Sequence, residues 1–298
     1  MKSSHIASLQ TIGLILFSIL ILFFYSCEPE IVTKIDIPEE DPKLSVSAYL
    51  IPSDTIHQIY IGKSKPHNVP TDESWEVENA VATISDGSTT VTLTKAGLGY
   101  YQFSQDDLEI VPGKKYQFSA YAPGFKQSVH SSCVVPALFD PKLEVTSIDT
   151  VTTSEMTSWA VNFKIMDNPG TVDFYRIVGT MEFIDTTTFE IIHMPMSPAQ
   201  PRFSMFDDAG RDGAWIPLRF DGYNYEWMGQ GSGLKLVSIN IDVLRTDEPY
   251  YKFHYPFVVK QYYPDDNPFT EPVIIFSNIT NGYGVFCSAV KKSYRFQQ

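Results

Sequence analysis

Polar and apolar positions alternate with a period of two over much of the chain, and turn-forming residues interrupt the alternation at short intervals. Tyr116, Phe118, Ala120 and Ala122 fall on one side of such a run, with Gln117, Ser119 and Tyr121 on the other. That is the pattern of a half-buried strand. Read in this way, residues 44–135 contain strands at Leu44–Leu50, Ile56–Gly62, Ala80–Ser85, Thr89–Thr94, Gly99–Ser104, Tyr116–Ala122 and Gln127–Val135. Asp86-Gly87 predicts a type I′ hairpin, in which both central residues need positive φ. Pro112-Gly113 predicts a type II turn. Short strands at this density predict an immunoglobulin-like β-sandwich over 43–137.

Pro136 and Pro141 break the pattern, and 138–298 reads as a second, more aromatic β domain. Strands are expected at Leu143–Val151, Trp159–Met166, Phe174–Phe183, Phe189–Met194, Leu234–Leu244, Pro272–Ile279 and from Gly284 to Phe296. Asn281-Gly282 predicts a hairpin between the last two. The Gly- and Pro-rich stretch from Pro195 to Gly233 reads as loops around one or two strands. One helix is predicted over Glu248–Tyr262, where Tyr251, His254, Val258 and Gln261 to Tyr262 recur near a 3.6-residue spacing. Pro256 weakens that helix, because an interior proline loses a hydrogen bond. The fold class is therefore mainly β, with at most one or two short helices.

The N-terminus has a different pattern. Ile12 to Tyr25 is apolar except for Gly13 and Ser18, a run of 14 residues. A bilayer span needs about 20, whereas a signal peptide's apolar core needs fewer. The run ends in Ser26-Cys27, a small residue before a cysteine, as at bacterial lipoprotein processing sites. Residues 1–26 are read as a lipoprotein signal peptide and Cys27 as the lipidated residue. The other reading is an uncleaved anchor helix starting near Ile6, since Tyr25 is bulky where a small residue is usual. Six acids and three prolines within Glu28–Pro42 make 27–42 an acidic, extended tether.

Composition narrows the function. The chain of 298 residues carries a formal net charge of -13. No basic stripe is present to neutralise phosphates, which argues against nucleic acid. Three cysteines are too few for a disulfide scaffold.

Several segments resemble one known family. They are Asp266-Asn267-Pro268-Phe269-Thr270-Glu271-Pro272, Phe276-Ser277-Asn278-Ile279 and Asn281-Gly282-Tyr283-Gly284-Val285-Phe286. Lys43–Leu50, Asn79-Ala80-Val81, Gly99-Tyr100-Tyr101, Pro112-Gly113-Lys114-Lys115-Tyr116 and Asp167-Asn168-Pro169-Gly170 fit as well. Together they are similar to the Bacteroidota lipoprotein family known as domain of unknown function 4249, with Cys287 standing where a glycine is expected. The resemblance implies an outer-membrane, lipid-anchored protein that accompanies a TonB-dependent transport barrel. It implies no catalytic residues, because the family has no assigned activity. The early acids Glu28 and Glu30 resemble a cell-surface export signal; the periplasmic face is the alternative.

Candidate chemistry is sparse. The six histidines show no metal-binding spacing, and the sequence calls for no cofactor. Cys133 and Cys287 are candidates for a disulfide or for two separate buried thiols. Asp207, Asp208 and Asp212 form a weak candidate for a calcium turn; an EF-hand is excluded, because Gly210 and Arg219 stand at ligand positions. Tyr223, Tyr225 and Trp227 alternate along a candidate strand, either as a stacking surface for a glycan or partner or as a core face. The expected function is a non-catalytic accessory or binding lipoprotein. A glycan-binding surface protein is the alternative. A hydrolase built on Asp207–Asp212 with His193 or His254 is the third reading, and no nucleophile–base pair supports it.

Overall fold

The computed structural model describes residues 41–65, 74–225, 233–262 and 275–297. The expected signal peptide, the candidate lipidation site Cys27 and nearly all of the expected acidic tether lie outside the described residues. Strands dominate, as the alternation requires. In chain order they are β1 (Leu44–Leu50), β2 (Ile56–Lys63), β3 (Val81–Ser85), β4 (Thr90–Thr92), β5 (Thr94–Gly97), β6 (Tyr100–Ser104), β7 (Lys115–Tyr121) and β8 (Val129–Val134). They continue with β9 (Leu143–Thr152), β10 (Met156–Met166), β11 (Phe174–Asp185), β12 (Ile191–Pro195), β13 (Ser197–Pro198), β14 (Met205–Asp207), β15 (Trp215–Tyr225), β16 (Leu234–Thr246) and β17 (Tyr283–Gln297). A short 3-10 turn covers Pro201–Phe203, and the helix α1 spans Glu248–Tyr262.

A long sheet in the order β12-β11-β16-β17-β1-β2-β6-β5, with β14 added at β11, runs through both halves of the sequence. Two four-stranded sheets, β4-β3-β7-β8 and β13-β15-β10-β9, complete the architecture. Two cores result. One gathers Leu44, Val46, Ile59, Ile84, Tyr116, Phe118 and Phe286. The other gathers Val161, Phe163, Tyr175, Phe183, Phe220 and Ile241. The immunoglobulin-like sandwich of the first half thus shares its larger sheet with the second body.

β17 makes the join. Its first half pairs in parallel with β1, from Ser45 opposite Tyr283 to Leu50 opposite Ser288. Its second half pairs antiparallel with β16, from Thr246 opposite Ala289 onward. The parallel contact is close. A Cβ on Gly284 would lie 1.9 Å from the Val46 carbonyl oxygen, and its φ is 102°. Only glycine fits there.

Four local expectations are corrected. Between Asp86 and Gly87 only the glycine takes positive φ, so the turn is not type I′. Ser85 pairs with Thr90, and the four-residue loop is closed by Asp86 Oδ1, which accepts from the Ser88 and Thr89 amides at 2.9 and 2.7 Å. That local side-chain bond outcompetes the tighter turn. Thr89–Thr94 is not one strand: the chain changes sheets at the buried Leu93, leaving β4 and β5. Residues 275–279 are not a strand. Asn278 replaces the ladder, donating from Nδ2 to the Phe286 carbonyl at 2.7 Å and accepting from its amide at 2.9 Å. The Gly- and Pro-rich stretch, expected to hold one or two strands, holds three: β13, β14 and the 11-residue β15, whose Ile216, Leu218 and Phe220 point inward. The type II turn holds, with Gly113 at φ 80° and Lys114 N–H bonded to Val111 O at 3.2 Å.

Candidate functional site

The loop before β15 and the turn after β10 meet because these strands pair antiparallel, Met166 opposite Trp215. The register places Asp167 beside Gly213 and Ala214, and the Asp167 amide bonds to the Ala214 carbonyl at 3.1 Å. Asp167 Oδ2 accepts from the Gly213 amide at 2.7 Å, and Oδ1 accepts from the Tyr175 hydroxyl. A Cβ on Gly213 would press on Pro169 at 2.9 Å, so the loop can turn here only with glycine. Asp212 Oδ1 caps the facing turn by accepting from the Gly170 amide at 2.7 Å.

Asp167, Asp208 and Asp212 thereby bring one carboxylate oxygen each to within 4.8 Å of one another. Asp173 stands beside them. It accepts from Arg245 Nε at 2.7 Å, from the Thr171 hydroxyl at 3.2 Å and from the Tyr175 hydroxyl at 3.3 Å. Asp167, Asp173 and Asp208 are all buried. Burial, reinforced by the charges of Asp167 and Asp173, pushes the Asp208 carboxyl above the usual range. Burial also raises Asp173, against the pull of Arg245. Burial and the bond to Asp167 push the Tyr175 phenol up, so it remains a donor. Four carboxylates against one guanidinium are held in a half-closed corner. Their oxygens are the donor type that hard cations take.

Of the sequence candidates, Asp208 and Asp212 enter this group and Asp207 does not. Asp207 lies in β14 and accepts from the Ala209 amide at 3.2 Å. The sequence offers Asp167 only within the Asp167-Asn168-Pro169-Gly170 turn and gives no signal for Asp173. Among the described residues no histidine joins the group. His193 lies in β12 opposite Glu182. His254 packs between the rings of Tyr49 and Tyr250, where burial lowers its pKa to about 4.

Cys133 and Cys287 are free, buried thiols rather than a disulfide. Successive residues of a strand point to opposite faces. Ser288 bonds toward β8, to the Val134 carbonyl at 3.1 Å, and lies against the Cys133 thiol. Cys287, one residue away, turns its Sγ to the Ala48 carbonyl at 3.6 Å. Burial raises both thiol pKa values. Tyr223 is on the outer face of β15 and is exposed. The side chain of Tyr225 and all of Trp227 lie outside the described residues.

The architecture defines the class: a mainly β protein of two cores stitched by one C-terminal strand, with a carboxylate-rich corner in the second. A family model described as Domain of unknown function (DUF4249) matches residues 32–295, and the chain belongs to that family. No curated protein matches it. Among solved structures it is similar to a pullulanase from Anoxybacillus sp. LM18-11 complexed with maltotriose. Identity there is 14%, the TM-score is 0.18, and the match covers 67% of this chain and 24% of that one. It is also similar to the FN1-FN3 domains of chicken CNTN1, at 12% identity and a TM-score of 0.23, covering 67% of this chain and 63% of that one. The chain thus spans less than two thirds of either. Among the described residues, no helix is long and apolar enough to cross a membrane.

Proposed function

We propose that the protein is a non-catalytic binding lipoprotein of the Bacteroidota outer membrane, anchored through Cys27 and working beside a TonB-dependent transport barrel. The order along the chain carries this reading. The apolar run Ile12–Tyr25, Ser26-Cys27 and the acidic tether come first, and the β body that the family model matches over 32–295 follows. Several acyl chains on one cysteine hold a globular body at a membrane, since each buried methylene contributes about 0.8 kcal/mol. The cell surface is the proposed face.

The test is a mild-detergent pull-down of tagged protein from its native membrane, read by mass spectrometry, with Cys27→Ser alongside. Wild type is expected to partition into detergent and bring down a barrel in stoichiometric amount, and C27S to do neither. A wild-type chain that carries no lipid overturns the anchor, and repeated recovery without a barrel overturns the partner.

A glycan-binding surface protein is the second reading, favoured by the outward position of Tyr223 on β15. A glycan array on the full chain, with Tyr223→Ala as control, tests it.

A further inference from the structure

We propose that the outer face of β10 and β15, beside the Pro201–Phe203 turn, is a binding site for a tetrahedral oxyanion, a phosphate or sulfate ester. The chain has six arginines, and half of them, Arg202, Arg211 and Arg219, line one cavity of about 500 Å³. Arg219 stands on the outward face of β15 opposite Asn162 of β10. Arg202 comes from the 3-10 turn, its guanidinium over the Phe203 ring at 5.6 Å. Arg211 comes from the loop that follows β14, held there by its amide on the Asp208 carbonyl at 2.7 Å.

The nearby acids neutralise only part of this group. Asp221 takes Arg219, with Nε and a terminal nitrogen both 3.0 Å from Oδ1. Asp149 accepts from the Asn162 amide nitrogen at 3.3 Å. Among the described residues, no ion pair engages Arg202 or Arg211. Arg245 and Arg295 are spent on Asp173 and Glu182, as Arg219 is on Asp221, so Arg202 and Arg211 supply the unpaired charge at this cavity. Converging guanidiniums repel one another unless an anion sits between them. Their planar forks match the oxygens of phosphate or sulfate bidentately, which lysine cannot do. The net charge of -13 disfavours a long polyanion such as nucleic acid, and the cavity suits a single charged group on a small polar body. This inference stands whether or not the chain is lipid-anchored.

The test titrates the full chain in detergent with inorganic phosphate and, separately, with a sulfated disaccharide. The same titrations are run on R202Q/R211Q. Both side chains are exposed, so the variant should melt with wild type; the single variants give the same reading in smaller steps if the double one does not fold. Saturable binding is expected, weakened by salt and reduced at least about tenfold in the double variant. Equal affinity for the two probes assigns recognition to the anion alone, and tighter binding of the disaccharide assigns it to an esterified sugar. No saturable binding of either probe, or undiminished binding by R202Q/R211Q, overturns the proposal.

Discussion

Asp247 Oδ2 accepts hydrogen bonds from both the amide and the hydroxyl of Ser288, each at 3.0 Å, while Oδ1 caps α1 by accepting from the Tyr250 amide at 2.9 Å. Ser288 is the residue at which β17 leaves β1 for β16. One carboxylate therefore fixes the helix start and the handover between the two cores. Losing a cap alone costs about 1 kcal/mol, and Asp247→Ala also leaves the buried Ser288 hydroxyl without this acceptor. D247A is expected to lower the urea midpoint by more than a capping defect would. Ser288→Ala, which keeps the amide bond and the cap, should lower it less.

The same carboxylate gives a pH signature. Burial raises its pKa from 3.8 to about 6, against the hydrogen bonds from Tyr250 and Ser288. A pKa raised on folding means that the folded state binds the proton more tightly than the unfolded one, so stability falls as pH rises through this window. Between pH 4 and pH 7 the cost is about 3 kcal/mol, at about 1.4 kcal/mol per unit. The wild-type unfolding free energy should drop over this range relative to Asp247→Asn, whose amide does not titrate. Parallel pH profiles of the two proteins would refute the assignment.

β1 and α1 run as the sequence pattern predicts, because each carries its own evidence. β1 alternates cleanly, and α1 has its apolar spacing, the Asp247 cap and an ion pair between Glu248 and Lys252 at 2.8 Å. Pro256 did not break the helix. β15 was obscured because Pro217 and Gly222 interrupt a sound alternation. Its partner on one side, β13, is only two residues long, so Pro217 forfeits no bond there. The carboxylate corner was half visible: the Asp207–Asp212 loop could be read, but Asp167 joins it only through the β10–β15 register. The join of the two bodies was not legible at all, since no local pattern tells a strand which neighbour it will take.

Gly284 tests that join. With φ at 102° and the Val46 carbonyl oxygen 1.9 Å from any added Cβ, Gly284→Ala must push β17 off β1. A loss of more than about 4 kcal/mol is expected, enough to leave little folded protein. Gly87→Ala is the control: its φ is 92° but nothing lies within 4 Å, so backbone strain of about 1 kcal/mol is the whole cost. Similar melting of the two variants would show that the parallel pairing contributes little.

Cys133 and Cys287 should behave as buried thiols. Alkylation followed by mass measurement is expected to label neither in the native protein and both in denaturant, with no change in Tm on adding reductant. Burial raises both pKa values, so little thiolate is present at neutral pH. A shift of Tm with reductant would show that the two sheet faces approach more closely than the Ser288 and Ala48 contacts allow.

The carboxylate corner makes the last prediction. Asp208 is raised by burial and by the charges of Asp167 and Asp173, so its negative charge opposes folding at neutral pH. Asp208→Asn removes that charge while keeping the shape. It should unfold at a higher denaturant concentration than wild type at pH 7, and the gain should shrink as the pH falls and the native carboxyl takes up its proton. Asp212→Asn is the contrast, because that carboxylate is exposed and serves the Gly170 amide, which an amide oxygen can also accept. If D208N is less stable than wild type at pH 7, the corner is not held under electrostatic repulsion, and the hydrogen bond from the Asp173 backbone outweighs the crowding of charge.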